Sequence, residues 1–267
     1  MYLRVLVCME NRSRMNRLVF LGTGTSQGVP LIGCRCPVCT SSDPRDKRLR
    51  TSALVTTPEV SVLLDAGPDF RYQMLRAEVR RIDAILLTHA HRDHIAGLDE
   101  VRSFNYFQQS AIPVYGNKQT LEGVHRFLPY AFGKHRYPGA PLFEMHQVQS
   151  RAFRIGDLHV VPIKVEHYQM EVNAYRMGDL TYVTDAKAIG RASVEKMRGS
   201  RTLVVNALRK EPHLTHFSLS DALQLIDELK PERAYIVHTG HALGYAQTQA
   251  GLPAGVWMAY DGLAVEF

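Results

Sequence analysis

The chain has 267 residues, 45% of them hydrophobic, with 19 glycines, 13 prolines, 4 cysteines and a formal net charge of +6. That length and composition can bury a sizeable core and favour one domain over two. The charge is compatible with phosphate-bearing ligands but too weak to argue for nucleic acid, because Arg4, Arg12 and Arg14 against Glu10 supply +2 of it before the first convincing strand. The opening M-Y-L-R-V-L-V-C is apolar, yet it is far shorter than the roughly 20 residues of a membrane helix, and it runs into Glu10-Asn11-Arg12 without a small-residue cleavage site. No membrane association or export is expected, and the expected compartment is the cytoplasm. Residues 1–14, which include Cys8, read as a loose N-terminal tail or an upstream start, and residues 15–267 as the single domain.

In chain order, Arg17 to Leu21 is the first strand. Gly22 to Pro30 is a glycine-rich loop that lacks the Gly-Lys-Ser/Thr of a P-loop and leads into Pro and Cys rather than a helix, so nucleotide binding is not expected there. Cys34, Cys36 and Cys39 follow as C-x-C-x-x-C, which in an unexported chain points to metal or redox chemistry rather than a disulfide framework. The basic run Arg45 to Arg50 reads as a solvated loop, with phosphate contact as the alternative. Strands are expected at Ser52 to Thr56, Val60 to Leu64 and Ile82 to Leu87, and a helix beginning near Ile95. Next come a strand at Ile112 to Tyr115, a helix at Lys118 to Leu128, and a Pro, Gly and aromatic-rich stretch from Pro129 to Pro141 that could line a substrate cleft. Strands at Leu158 to Val165, Asn173 to Met177, Leu180 to Thr184, Thr202 to Asn206 and Arg233 to Val237 complete the pattern. Among them Leu219, Ala222, Leu223, Ile226 and Leu229 trace a helical stripe that stops at Lys230-Pro231. Such alternation fits a layered α/β architecture.

Thr88-His89-Ala90-His91-Arg92-Asp93-His94 stands at the end of a strand and gathers three imidazoles and a carboxylate, the ligand types that suit zinc, iron or manganese. His89 and His91, two apart, leave the strand on one side, and Asp93 and His94 can face a second ion. Asp65, His167, Asp185 and His238 each terminate or follow an apolar run. Together these residues are enough for two ions.

The motif H-x-H-x-D-H after a hydrophobic strand, preceded by L-L-D-A-G at Leu63 to Gly67, resembles the metallo-β-lactamase-fold hydrolases. The G-T-G-T-S-Q-G-V-P run from Gly22 with the C-x-C-x-x-C motif is similar to the branch containing the phosphoribosyl cyclic phosphate phosphodiesterases of phosphonate breakdown. The resemblance covers about Met15 to the C-terminus. It implies a four-layer αββα sandwich and two divalent catalytic ions (Zn, Mn or Fe). His89, His91 and His167 would hold one ion, Asp93, His94 and His238 the other, and Asp185 would bridge them, with Asp65 supporting the ligands from behind. The resemblance also implies a structural zinc on Cys34, Cys36, Cys39 and His241. Its expected activity is hydrolysis of a small, in some cases cyclic, phosphodiester by metal-activated hydroxide. By that resemblance Asp93, Asp185 and His216 would be the catalytic residues, with His216 as general acid. His216 precedes Ser218-Leu219-Ser220-Asp221, which has the form of a capping box.

Two other functions compete. A tRNA 3′-processing ribonuclease shares the histidine motif, but that family inserts a long RNA-binding arm before the bridging aspartate, and only residues 168–184 separate His167 from Asp185 here. A non-catalytic zinc scaffold or sensor would use the cysteine site alone. The oligomeric state stays open, with a homodimer among the options.

Overall fold

The computed structural model describes residues 16–133 and 136–267, so the N-terminal segment with Cys8 lies outside the described residues. The strands are β1 (Arg17–Gly22), β2 (Ser52–Thr56), β3 (Ser61–Leu64), β4 (Ala84–Leu86), β5 (Ile112–Gly116), β6 (Phe143–Gln147) and β7 (Phe153–Ile155). They continue with β8 (Leu158–His167), β9 (Met170–Met177), β10 (Leu180–Tyr182), β11 (Thr202–Asn206), β12 (Arg233–Val237), β13 (Val256–Met258) and β14 (Ala264–Glu266). The α-helices are α1 (Phe70–Arg76), α2 (Arg92–Ile95), α3 (Arg102–Gln108), α4 (Lys118–Phe127), α5 (Arg191–Met197), α6 (Leu219–Leu229) and α7 (Tyr245–Ala250).

Among the described residues the strands form two 7-stranded mixed sheets, ordered β14-β1-β2-β3-β4-β5-β6 and β13-β12-β11-β10-β9-β8-β7. Each sheet has an antiparallel half and a parallel half: β3, β4, β5 and β6 run parallel in one, and β10, β11, β12 and β13 in the other. One core lies between the sheets, where Leu18, Phe20, Val62, Leu64 and Leu86 meet Tyr175, Met177, Tyr182, Val204 and Val237. The outer face of the first sheet packs Leu63, Ile85 and Val114 against Phe70, Met74, Leu121 and Val124 of α1 and α4. The outer face of the second packs Ile163, Val205 and Ile236 against Val194, Met197, Ala222 and Ile226 of α5 and α6. Because successive strand residues are buried on opposite faces, the central strands read as continuous apolar runs rather than alternations. The result is the expected four-layer αββα sandwich.

β2, β11 and β12 run as expected, whereas the segment around Asp93 differs. α2 begins at Arg92, before Ile95, so Asp93 and His94 sit on a helical turn directly after the strand end. The glycine of Leu63 to Gly67 explains the close fit there: a Cβ on Gly67 would stand 2.1 Å from Asp93 O, so only glycine lets α2 approach the end of β3. Among the described residues, no helix is long and apolar enough to cross a membrane.

Candidate metal centre

The chemistry-bearing residues collect at the C-terminal ends of strands from both sheets. His89 and His91 follow β4, His167 closes β8, Asp185 follows β10 and His238 follows β12. Asp65, Asp185 and His238 adopt left-handed backbone conformations, with φ of 60°, 58° and 53°. A non-glycine residue there costs on the order of 1 kcal/mol, and such strain collects where a side chain must be aimed.

The imidazoles are held from behind. Asp65 accepts from Thr88 N and Thr88 Oγ1, both at 2.8 Å, and lies 2.7 Å from His94 Nδ1. Thr88 Oγ1 is 3.0 Å from His89 Nδ1, His167 Nδ1 is 2.8 Å from Thr215 O, and His238 Nδ1 is 3.2 Å from Thr51 Oγ1. Each contact fixes a ring and leaves its Nε2 for the cluster, the usual support for metal-ligating histidines. Sequence reasoning anticipated Asp65 but not Thr51, Thr88 or Thr215, whose residue type carries no local signal.

His89, His91 and His167 form one set able to hold an ion, and Asp93, His94 and His238 form a second; the atoms within each set lie within 4.8 Å of one another. Asp185 approaches both, since it also groups with His89 and His94. Its Oδ2 is 3.2 Å from His94 Nε2 and its Oδ1 is 3.3 Å from His238 Nε2. His94 Nε2 is buried without a hydrogen-bond partner, and His89 Nε2 faces His91 Nδ1 at 3.0 Å. A buried ring nitrogen without a partner, beside imidazoles that converge on carboxylates, fits divalent ions.

The electrostatics agree. Burial lowers the pKa values of His89, His91 and His238, which keeps these rings neutral and able to bind a metal. Burial would also lower His94, but Asp185, Asp65 and Asp93 outweigh it and raise His94 well above its ordinary value. Conversely, burial pushes Asp93 and Asp185 up, and the neighbouring His94 and His238 overcome it and hold both carboxyls below the usual range. These carboxylates draw positive charge into a buried volume, which is what bound cations supply.

A separate group lies beside it. The sulfurs of Cys34, Cys36 and Cys39 stand 3.3, 3.4 and 3.5 Å from His241 Nδ1. Tetrahedral zinc with Zn–S near 2.3 Å and Zn–N near 2.0 Å places sulfur and nitrogen about 3.5 Å apart, so the four atoms have the spacing of a closed site. The Cys39 N–H, donated to Cys36 Sγ, lowers the Cys36 thiol to about 6, while burial raises Cys39 to about 11.

His216 Nδ1 is buried, unpartnered and 3.6 Å from Asp185 Oδ1, and the ring also groups with His167 and Asp185 as a set able to hold an ion. It borders a cleft of about 390 Å³ shared with Thr25, Ser26, Gln27, Arg209 and His213. In the stretch from Pro129 to Pro141, expected to line a substrate cleft, Lys134 and His135 lie outside the described residues. Tyr130 bonds Asp99, and residues 136–140 line a groove with Arg102, Asn105 and Tyr106. The basic run is also structural: Arg48 is buried and paired with Asp46, Arg45 pairs with Asp43, and Arg50 pairs with Asp69.

The β-lactamase superfamily domain model matches residues 61–239. A crystal structure described as a new diphosphatase from the PhnP family is 40% identical, covers 94% of this chain and 97% of that chain, and superposes with a TM-score of 0.89. Zn(2+)-bound PqqB from Methylobacterium extorquens shares the fold at 20% identity, with 94% of this chain and 100% of that chain covered and a TM-score of 0.76. An octanoyltransferase of Porphyromonas gingivalis is 36% identical over 251 residues, 92% of this chain and 51% of that protein. The chain thus spans about half or less of the length of the curated relatives it matches. The domain match and the full-length likeness at 40% identity together establish that the chain belongs to the β-lactamase superfamily, and within it to the PhnP family.

Proposed function

We propose that the protein is a binuclear metal-dependent phosphodiesterase acting on small, including cyclic, phosphodiesters such as a phosphoribosyl cyclic phosphate, with residues 15–267 working as one domain. The observation that carries the reading is two sets of three ligand atoms, one on His89, His91 and His167 and one on Asp93, His94 and His238, both within reach of Asp185. When bound, two divalent ions would neutralise phosphoryl oxygens and bring the pKa of a water near neutrality. The chain's own groups do the rest. Asp185, which groups with His89 of one set and His94 of the other, would help hold both ions, Asp65 orients His94, and His216 stands at the rim where it can pass a proton to the departing oxygen. Cys34, Cys36, Cys39 and His241 form a closed structural zinc site, because four protein ligands leave no position for substrate. Free thiols arranged as ligands suit a reducing compartment, so we place the protein in the cytoplasm.

A diphosphate substrate is a second reading, favoured by the diphosphatase description of the 40%-identical neighbour. A long RNA substrate is disfavoured, because β9 and β10 occupy most of residues 168–184, where an RNA-binding arm would be inserted. The test is a screen of cyclic ribose phosphates, cyclic nucleotides, linear dinucleotides and diphosphates with zinc, manganese or iron supplied. Cleavage of the small diesters is expected. Turnover of diphosphates alone would move the assignment to anhydride hydrolysis, and no turnover of any class would leave a non-catalytic zinc scaffold.

A further inference from the structure

The cleft beyond His216 is bounded by three separate segments: the loop carrying Thr25, Ser26 and Gln27, the segment carrying Arg209 and His213, and the turn after β12. It is continuous with the metal centre, since Thr25 Oγ1 is 3.4 Å from His238 Nε2. A proton donor must touch the leaving oxygen, so a leaving group protonated by His216 has to extend to the His216 side of the cluster, into this cleft. We propose that the cleft is the leaving-group pocket and that Arg209 there recognises a phosphoryl oxyanion carried by the leaving group; this rests on the phosphodiesterase reading with His216 as donor.

The lining favours that ligand class. Arg209 donates from Nε to Glu211 O at 3.4 Å and from Nη2 to Pro212 O at 2.9 Å. Both bonds go to backbone carbonyls, which position the guanidinium without neutralising it, and Arg209 forms no ion pair among the described residues. A planar guanidinium matches a tetrahedral oxyanion with paired N–H donors. Thr25 and Ser26 hydroxyls and the Gln27 amide add neutral donors on the facing wall. Glu211 also borders the cleft, but it is exposed, whereas Arg209 is partly buried. The charge balance inside therefore favours an anion. Hydrolysis of a diphosphate, the chemistry described for the 40%-identical neighbour, also releases a phosphate as leaving group.

Two methyl aryl phosphates test the proposal, one with phenol and one with 3-sulfophenol as leaving group. Sulfonate is a tetrahedral oxyanion that cannot itself be hydrolysed. The ratio of kcat/KM for the sulfonated over the plain ester is measured in metal-replete wild type, Arg209→Met and Arg209→Lys. Because intrinsic reactivity is the same for all three proteins, a change in ratio reports recognition alone. The ratio should fall on the order of 10- to 100-fold in Arg209→Met and by less in Arg209→Lys, as expected for losing a charge-assisted pair. A ratio unchanged within about twofold would overturn the proposal. Calorimetric binding of 3-hydroxybenzenesulfonate and of phenol to the holoenzyme gives a readout independent of turnover. Tighter sulfonate binding that Arg209→Met abolishes supports the pocket, and equal binding in both proteins rejects it. If neither ester turns over, the phosphodiesterase reading fails while the binding comparison still decides the pocket.

Discussion

His216 shows how a single ring's surroundings decide between two roles. Burial, reinforced by His238, lowers its pKa to about 3, so in the substrate-free protein the ring is neutral at pH 7. A bound phosphate adds negative charge beside Nδ1 and raises that value, so the ring can hold the proton it must donate. Because activity needs the protonated ring, it is lost as pH rises. The descending limb for an alkyl ester should therefore lie at lower pH in kcat/KM, which reports the free enzyme, than in kcat, which reports the complex. His216→Ala should lose roughly 10² to 10⁴ in rate on an alkyl or ribosyl ester and much less on a nitrophenyl ester, whose leaving group departs without a proton. Equal losses on both esters, accompanied by loss of a metal equivalent, would make His216 a ligand in the set with His167 and Asp185. The histidines and aspartates that the fold gathers were visible in the sequence because they stand out at the ends of apolar runs. The threonines that orient them were not, and neither was Arg48, whose basic neighbours give the look of a solvated loop although its side chain is buried.

At the scale of elements, the strands that pack on both faces were the readable ones. β2, β11 and β12 are central, and their apolar runs end where burial ends. β6, β7, β13 and β14 escaped because they lie at or beside sheet edges, are 3 to 5 residues long and carry mixed sequences such as F-E-M-H-Q, so neither periodicity nor composition marks them. Helix α2 was legible only as a ligand motif, since 4 residues, R-D-H-I, are too few for a helical stripe. Its position depends on β3 and on Gly67, where a methyl group would collide with the backbone oxygen of Asp93. Gly67→Ala should therefore cost about 1 to 3 kcal/mol of stability and move Asp93 and His94 away from His238. Differential scanning calorimetry and metal analysis check this together. A lowered Tm with depletion of the hydrolytic ions and retention of the Cys-site zinc is expected, and an unchanged Tm with full metal content would show that α2 tolerates a longer approach.

Across the whole molecule, the turn after β12 carries His238 into one cluster and His241 into the other. Arg48 knits that turn to the N-terminal loop: its guanidinium donates to Thr239 Oγ1 at 2.6 Å, Gly240 O at 3.3 Å and Leu243 O at 2.6 Å, and pairs with Asp46 at 2.8 Å. The two centres are thus mechanically joined yet chemically different. Three sulfurs and one imidazole would enclose an ion on every side, whereas the histidine and carboxylate cluster opens toward solvent at His91. Thiolate ligation should retain zinc under conditions that strip the open cluster. Mild chelation followed by dialysis should abolish hydrolysis and leave about one zinc per chain by elemental analysis, with only a modest fall in Tm. Cys36→Ser should do the reverse, lowering Tm strongly while activity per folded, metal-replete molecule persists. If metal loss and activity loss run in parallel down to a zinc-free chain, the closed site is no tighter than the open one. If Cys36→Ser keeps normal thermal stability but loses turnover, the cysteine site belongs to catalysis and the division of labour between the two centres is reversed.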